Sequence, residues 1–230
     1  MTNVSFLRHN SFFGPEDVQD ICLNIIGVGA TGSWVGLLAA KMGWHKFKVW
    51  DADIVESHNL PNQIYDITQI GLPKVEAFKQ KLEQFNPAVQ VETCNEFFHS
   101  STHTDCLEDA LFIAVDSLSA RKDIVSSLED NILLDIVLET RMGFTHAEMV
   151  AFEPDDQSTI DNYLSLLKDD NEVTEAACNE RIITTLTSIV ASSVVHNLCS
   201  FYSSPRRNAS FALPKKAIFN LNDKLTTYNM

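Results

Sequence analysis

The chain has 230 residues, 45% hydrophobic and 21% charged, with 8 Gly and 7 Pro. That suits one large α/β domain with appendages and excludes collagen, Pro/Gly-rich disorder and a long multidomain array. The formal net charge of -14 repels phosphate backbones over most of the surface, so nucleic acid is not an expected partner, although one focused site can still hold a nucleotide.

Residues 21–27 (ICLNIIG) are apolar, β-branched and closed by Gly, which predicts a buried strand. A helix is predicted over 31–42, ending near Gly43, and a second strand over 46–50, ending at Asp51. A polar loop leads to Pro73, which can open the first turn of a helix over 73–85, closed by Asn86-Pro87. Strands follow at 89–93 and 110–115, the latter ending at Asp116, with a loop or short helix between them over 99–109. A helix over 118–129, strands over 132–138 and 145–152, and a helix over 158–168 come next. Residues 170–178 form an acidic loop before a helix over 180–201 that carries no charge from Ile182 on, and the tail carries one strand, 216–221.

In that helix Ile182, Leu186, Ile189/Val190, Val194 and Leu198 recur at helical spacing. Its Thr, Ser, His196 and Asn197 are too polar for a bilayer, so it is expected to be buried, with one face on the sheet and another on a second copy in a two-fold homodimer. No membrane partner is expected. Strand–helix alternation predicts a Rossmann-like, mostly parallel sheet flanked by helices, with an extended C-terminal part. The division is an N-terminal arm, 1–20, a domain, 21–202, and a tail, 203–230.

The five cysteines, Cys22, Cys94, Cys106, Cys178 and Cys199, form no C-x-x-C pair. They read as reduced thiols of a cytoplasmic protein without a cysteine-based zinc site. The first twenty residues lack an apolar run, so a secretory leader is not expected.

Gly27-Val28-Gly29-Ala30-Thr31-Gly32 is G-x-G-x-x-G between a predicted strand and helix. Glycines there allow a tight turn and let backbone N–H groups approach a phosphate at the helix start. Asp51 lies 24 residues after Gly27, a spacing that suits a carboxylate binding ribose hydroxyls. These features alone favour an NAD-dependent oxidoreductase, but the residues beyond 150 look too few and too helical for its substrate domain.

The next motifs change that reading. Asp51-Ala52-Asp53-Ile54-Val55 is followed by Asn59-Leu60-Pro61-Asn62-Gln63 and by Gly71-Leu72-Pro73-Lys74 before a helix ending at Asn86-Pro87. With Asp116-Ser117, Arg121 and Cys178 at the start of a helix, this ordered set resembles the ThiF/MoeB adenylyltransferases, the superfamily of the ubiquitin-activating enzymes. The resemblance implies ATP-dependent adenylation of a carboxylate, such as the C-terminal glycine of a ubiquitin-like protein, with release of pyrophosphate. It also implies Mg²⁺, a crossover cysteine at Cys178 open to thioester chemistry, and Arg8 as the arginine donated to a partner's ATP. Two departures stand out: the family's N-L-x-R-Q arginine is Asn62, and a motif glycine is Ala30. A partner subunit that has lost its ATP site is therefore the alternative.

The residue chemistry runs beside this. Asp53 supports or caps its loop, and Asn59 and Gln63 offer amides to phosphate or to the loop itself. Lys74 at a helix start opposes the macrodipole, a cost that a nearby phosphate offsets. Asp116 is a hard oxygen ligand for Mg²⁺ bound with phosphates, or else a helix cap, a task Ser117 can take instead. Arg121 on its own reads as a surface helix residue, and Arg141 stands where it could replace the missing cation.

Overall fold

The structure is a computed structural model that describes residues 4–129, 131–143, 145–154, 157–165, 167, 184–207 and 216–221. Seven strands form one sheet in the order β3-β2-β1-β4-β5-β6-β7. They are β1 (Cys22–Ile26), β2 (Lys46–Trp50), β3 (Gln90–Cys94), β4 (Asp109–Ile113), β5 (Leu134–Met142), β6 (His146–Phe152) and β7 (Lys216–Asn220). The first five are mutually parallel, and β6 and β7 extend the sheet antiparallel.

Helices α1 (Ala30–Met42), α2 (Lys74–Phe85) and α6 (Thr184–Arg207) share a core with one sheet face, while α4 (Leu118–Ser126) and α5 (Gln157–Ser165) pack on the other. Central strands covered on both faces need continuous apolar runs. Accordingly Leu23, Ile25 and Ile26 of β1, residues 110–113 of β4 and residues 136–138 of β5 are all buried. The outer strands alternate instead: Phe47, Val49 and Val91 face the α1 side, whereas Lys48 and Glu92 pair at 2.8 Å on the other. That face stays polar because the β3–β4 connection carries only a four-residue α3 (Ser100–His103) and a 3-10 turn, with no long crossover helix to cover it.

The predicted elements are found among the described residues, with the helix expected over 118–129 ending at Ser126, residues 180–183 of the long helix outside the described residues, and two larger shifts. The strand expected at 132–138 pairs from Leu134 to Met142, which leaves Ile132 91% exposed. Asn131 causes the delay: its side chain accepts from the Leu133 N–H at 2.9 Å and donates to the Thr104 and Leu107 carbonyls, holding a turn where alternation alone suggested strand. The long helix continues to Arg207, through Pro205. Its buried residues, among them Leu186, Val190, Val194 and Leu198, pack within the chain, and the exposed positions described over 184–203, Thr185, Ser192 and His196, are polar.

The segment before β1 joins this core. Phe13 is fully buried and stacks on Trp44 at 5.2 Å, and Trp44 meets Tyr202 of α6 edge-on. Replacing Phe13 by Ala removes a buried aromatic and is expected to cost about 3–5 kcal/mol in urea unfolding. A loss too small to resolve would mean that this segment does not contribute to the core.

Candidate active site

The chain runs outward from β1 through β2 to β3, then returns to the other side of β1 as β4. Ligands of open parallel sheets bind at the strand carboxyl ends beside such a reversal. Gly27 leaves β1 with φ +92°, and its N–H donates to the Trp50 carbonyl at 2.8 Å. A Cβ on Gly27 would sit 2.8 Å from the Ala114 carbonyl oxygen, so the turn lies against the exit of β4, two residues before Asp116. A Cβ on Gly32 would fall 1.9 Å from the Gly27 oxygen, which makes close helix–turn packing depend on that glycine. Gly29, the residue before α1, faces open space, and no side chain caps its helix. Ala30 is the first helical residue, a position that tolerates a Cβ. The first N–H groups of α1 therefore look into an open site that suits an anion.

Asp51 ties this turn to the next loop. Its Oδ2 accepts from the Val28 N–H and its Oδ1 from the Asp53 N–H, both at 2.9 Å. Burial pushes its carboxyl up, opposed by Lys74 and by these two N–H donors. Each oxygen keeps a further lone pair for a ribose hydroxyl. Lys74 opens α2 and is buried, with Nζ 2.6 Å from Asp53 Oδ2. The offset assigned above to a phosphate is thus supplied by Asp53, which is exposed and free to yield to an incoming anion. Tyr65, not singled out by its sequence, braces both sides: its buried hydroxyl donates to the Val28 carbonyl at 2.6 Å, with the Lys74 carbonyl at 3.3 Å. Burial, and then the charge of Asp51, hold its phenol well above the usual range.

The Asn-Leu-Pro-Asn-Gln loop lies against α1. The Trp34 indole N–H donates to the Asn62 carbonyl at 3.1 Å. Asn59 serves the loop, accepting from the Glu56 N–H through Oδ1. The buried side-chain oxygens of Asn62 and Gln63 have no hydrogen-bond partner among the described residues.

Asp116 is exposed at the exit of β4. It is not the helix cap: Ser117 is, its hydroxyl accepting from the Ala120 N–H at 3.2 Å. No cluster of three His, Cys, Asp or Glu side chains able to hold a metal occurs among the described residues. A lone exposed carboxylate fits Mg²⁺ carried in with substrate phosphates and does not fit an all-protein metal cage.

Arg121 corrects the surface reading. It is buried, paired with the fully buried Glu139, and donates to the Val115 carbonyl and, at 2.6 Å, to the Thr140 carbonyl. Arg141 is also committed to Glu139, Nε to Oε1 at 2.7 Å, and lies over the Tyr163 ring. Arg8 is exposed in the turn before the core. Cys178 and the acidic segment 170–178 lie outside the described residues.

A doubly wound sheet with a glycine turn, a strand-end carboxylate and a helix-start lysine at its reversal defines a nucleotide-binding domain. The chain belongs to the ThiF family, whose pattern matches residues 10–226. It is 33% identical over 135 residues to ubiquitin-like modifier-activating enzyme 5 of Drosophila ananassae, covering 57% of this chain and 32% of that protein. It is 24% identical over 131 residues to tRNA threonylcarbamoyladenosine dehydratase of Bacillus subtilis, covering 56% of this chain and 52% of that protein. Its fold is similar to that of E. coli MccB, solved with AMPCPP and MccA, at a TM-score of 0.72 and 16% identity, over 94% of this chain and 65% of that one. In each comparison the chain spans less than two thirds of the other protein's length.

The glycines separate packing from binding. Gly32→Ala is expected to destabilise the fold by about 2–3 kcal/mol, because backbone would have to move. Gly29→Ala meets no atom and should cost only about 1 kcal/mol in thermal unfolding, the loss of a helix N-cap glycine. Equal losses in the two variants would show that the turn is not packed as described.

Proposed function

We propose that the chain is an ATP-dependent adenylyltransferase that activates the carboxylate of a small protein, probed best with the C-terminal glycine of a ubiquitin-like protein. The observation that carries this reading is the convergence of the glycine turn, Asp51, Lys74 and an uncommitted Asp116 at one strand edge. Membership of the ThiF family supports it, as do relatives named as modifier-activating enzymes and a neighbour solved with AMPCPP and a second protein.

In this reading the substrate carboxylate attacks the α-phosphorus of ATP and pyrophosphate leaves. The start of α1 receives phosphate through its backbone N–H groups. Asp51 orients the ribose, and the Asn62 and Gln63 amides lie in the adjoining loop. Lys74 exchanges Asp53 for phosphate and places positive charge where negative charge develops. Asp116 would hold Mg²⁺, which neutralises the departing pyrophosphate. None of these steps needs Cys178; a thioester there would be a later transfer.

Arg8, exposed ahead of the core, suits donation to a second copy's ATP in a two-fold homodimer. The polar outer stripe of α6 makes another surface the better candidate for that contact. The described cysteines are all free thiols, which supports a cytoplasmic setting. No helix among the described residues is long and apolar enough to cross a membrane. The charge of -14 favours a protein carboxylate over one on a tRNA.

Calorimetric titration with ATP–Mg²⁺ and with NAD separates this reading from an oxidoreductase and from an inactive partner subunit. ATP–Mg²⁺ is expected to bind. Lys74→Ala should weaken it by about 1.5–3 kcal/mol, roughly ten- to a hundredfold, as the loss of a charged hydrogen bond. Binding of NAD in preference to ATP, or of neither, would overturn the assignment.

A further inference from the structure

The geometry around Asp116 assigns a task to Arg121 that neither its sequence position nor its buried ion pair explains. The last β4–β5 pair in the sheet is Ile113 with Glu139. Val115 and Thr140 lie beyond that shared ladder, Val115 past the end of β4 and Thr140 still inside β5, where it pairs with Met149 of β6. The Arg121 guanidinium donates to both of their carbonyls while Glu139, fully buried, holds its charge. The same residue's backbone N–H donates to the Ser117 carbonyl at 3.2 Å, and the Ser117 hydroxyl caps the helix. The residue before Asp116 and the residue after it are therefore both fixed, and the carboxylate between them is exposed.

We infer that Arg121 is a positioning residue for Asp116, clamping the exit of β4 to the body of β5 so that the carboxylate meets the metal in one place. A buried ion pair seldom stabilises a fold more than apolar side chains of the same volume. A planar guanidinium fork, by contrast, can reach two carbonyls and a carboxylate at once, which a lysine ammonium on a flexible stem does not match. Mutating groups that orient a metal's ligand typically costs about ten- to a hundredfold in metal affinity. Glu139 sets the fork, and Arg141 on its other oxygen keeps that carboxylate from turning.

This inference rests on the adenylation reading, which gives Asp116 to Mg²⁺, and its test keeps the two apart. ATP is titrated calorimetrically into wild type, Arg121→Lys, Asp116→Ala and the double variant, with Mg²⁺ and again with EDTA. Wild type is expected to bind ATP more tightly with Mg²⁺. Arg121→Lys should keep its affinity in EDTA and lose about tenfold of the Mg²⁺ enhancement. Asp116→Ala should abolish the enhancement, and the double variant should lose nothing more, because both act through one carboxylate. Should Arg121→Lys fail to bind ATP even in EDTA, Arg121→Met, which keeps the volume and leaves Glu139 paired with Arg141, takes its place with the same expectation.

A wild-type Mg²⁺ enhancement in Arg121→Lys or its substitute overturns the inference and leaves the nucleotide site standing. So does a further loss in the double variant. Equal ATP affinity with and without Mg²⁺ in wild type overturns the inference and the metal role of Asp116. Wild type that binds no ATP overturns the adenylation reading and this inference together.

Discussion

The Asp51 carboxylate is the point on which the site depends. One oxygen holds the N–H of Val28 in the glycine turn, and the other holds the N–H of Asp53 at the head of the following loop. Two segments from adjacent strand ends are thereby set by one side chain. Asp53, once fixed, presents its own carboxylate to Lys74, and the Lys74 N–H returns to the Asp53 carbonyl at 2.8 Å. Tyr65 closes the circuit from the far side through the Val28 carbonyl. The arrangement is favourable because backbone N–H groups at a carboxylate are strong, charge-assisted donors. It also leaves a partly buried negative charge, and the raised pKa of Asp51 records that burial outweighs the groups that favour ionisation.

A second constraint acts between the exit of β4 and the body of β5. Glu139 is fully buried and binds two arginines, Arg121 and Arg141. Removing Glu139 would leave the buried Arg121 without a counter-charge, a loss of several kcal/mol. The cluster sits under the strand edge that carries Asp116, while the Asp51 network sits under the edge that carries the glycine turn. The close contact between Gly27 and the Ala114 carbonyl joins the two halves. The site is thus a seam between two locally fixed frames, one per side of the strand reversal.

The sequence was legible where the chemistry is local. A strand closed by glycine, a strand ended by Asp51 and a lysine just after Pro73 are each decided within a few residues, and each is found in its expected place. The role of Ser117 as cap followed from the same short range. Arg121 was misread because its partner lies 18 residues away on another element, and only the pairing of Ile113 with Glu139 brings them together. Tyr65 was missed for a similar reason: its acceptors are backbone carbonyls, and main-chain acceptors leave no mark in sequence. The start of β5 was displaced because Asn131 makes three contacts that alternation of apolar residues does not encode.

The absence of an arginine at position 62 gains its meaning from what the neighbouring cations are doing. Lys74 is paired with an exposed aspartate that can withdraw into solvent, so its charge is available to a stronger anion at small cost. The charges of Arg121 and Arg141 are committed to a carboxylate with no exposed surface, and neither can turn toward a phosphate without giving up that buried pair. In a chain of net charge -14, long-range attraction does nothing to gather phosphate at the site. In the proposed reading, binding of a polyphosphate then has to come from short-range groups: the open start of α1, Lys74, and a divalent ion brought in on the phosphates and met by Asp116. Each of these acts over a few ångströms and loses effect steeply when displaced. A site that lacks one cation therefore leans harder on the exact placement of those it keeps, which is where a rigid frame around Asp51 and a clamp beside Asp116 have their greatest effect.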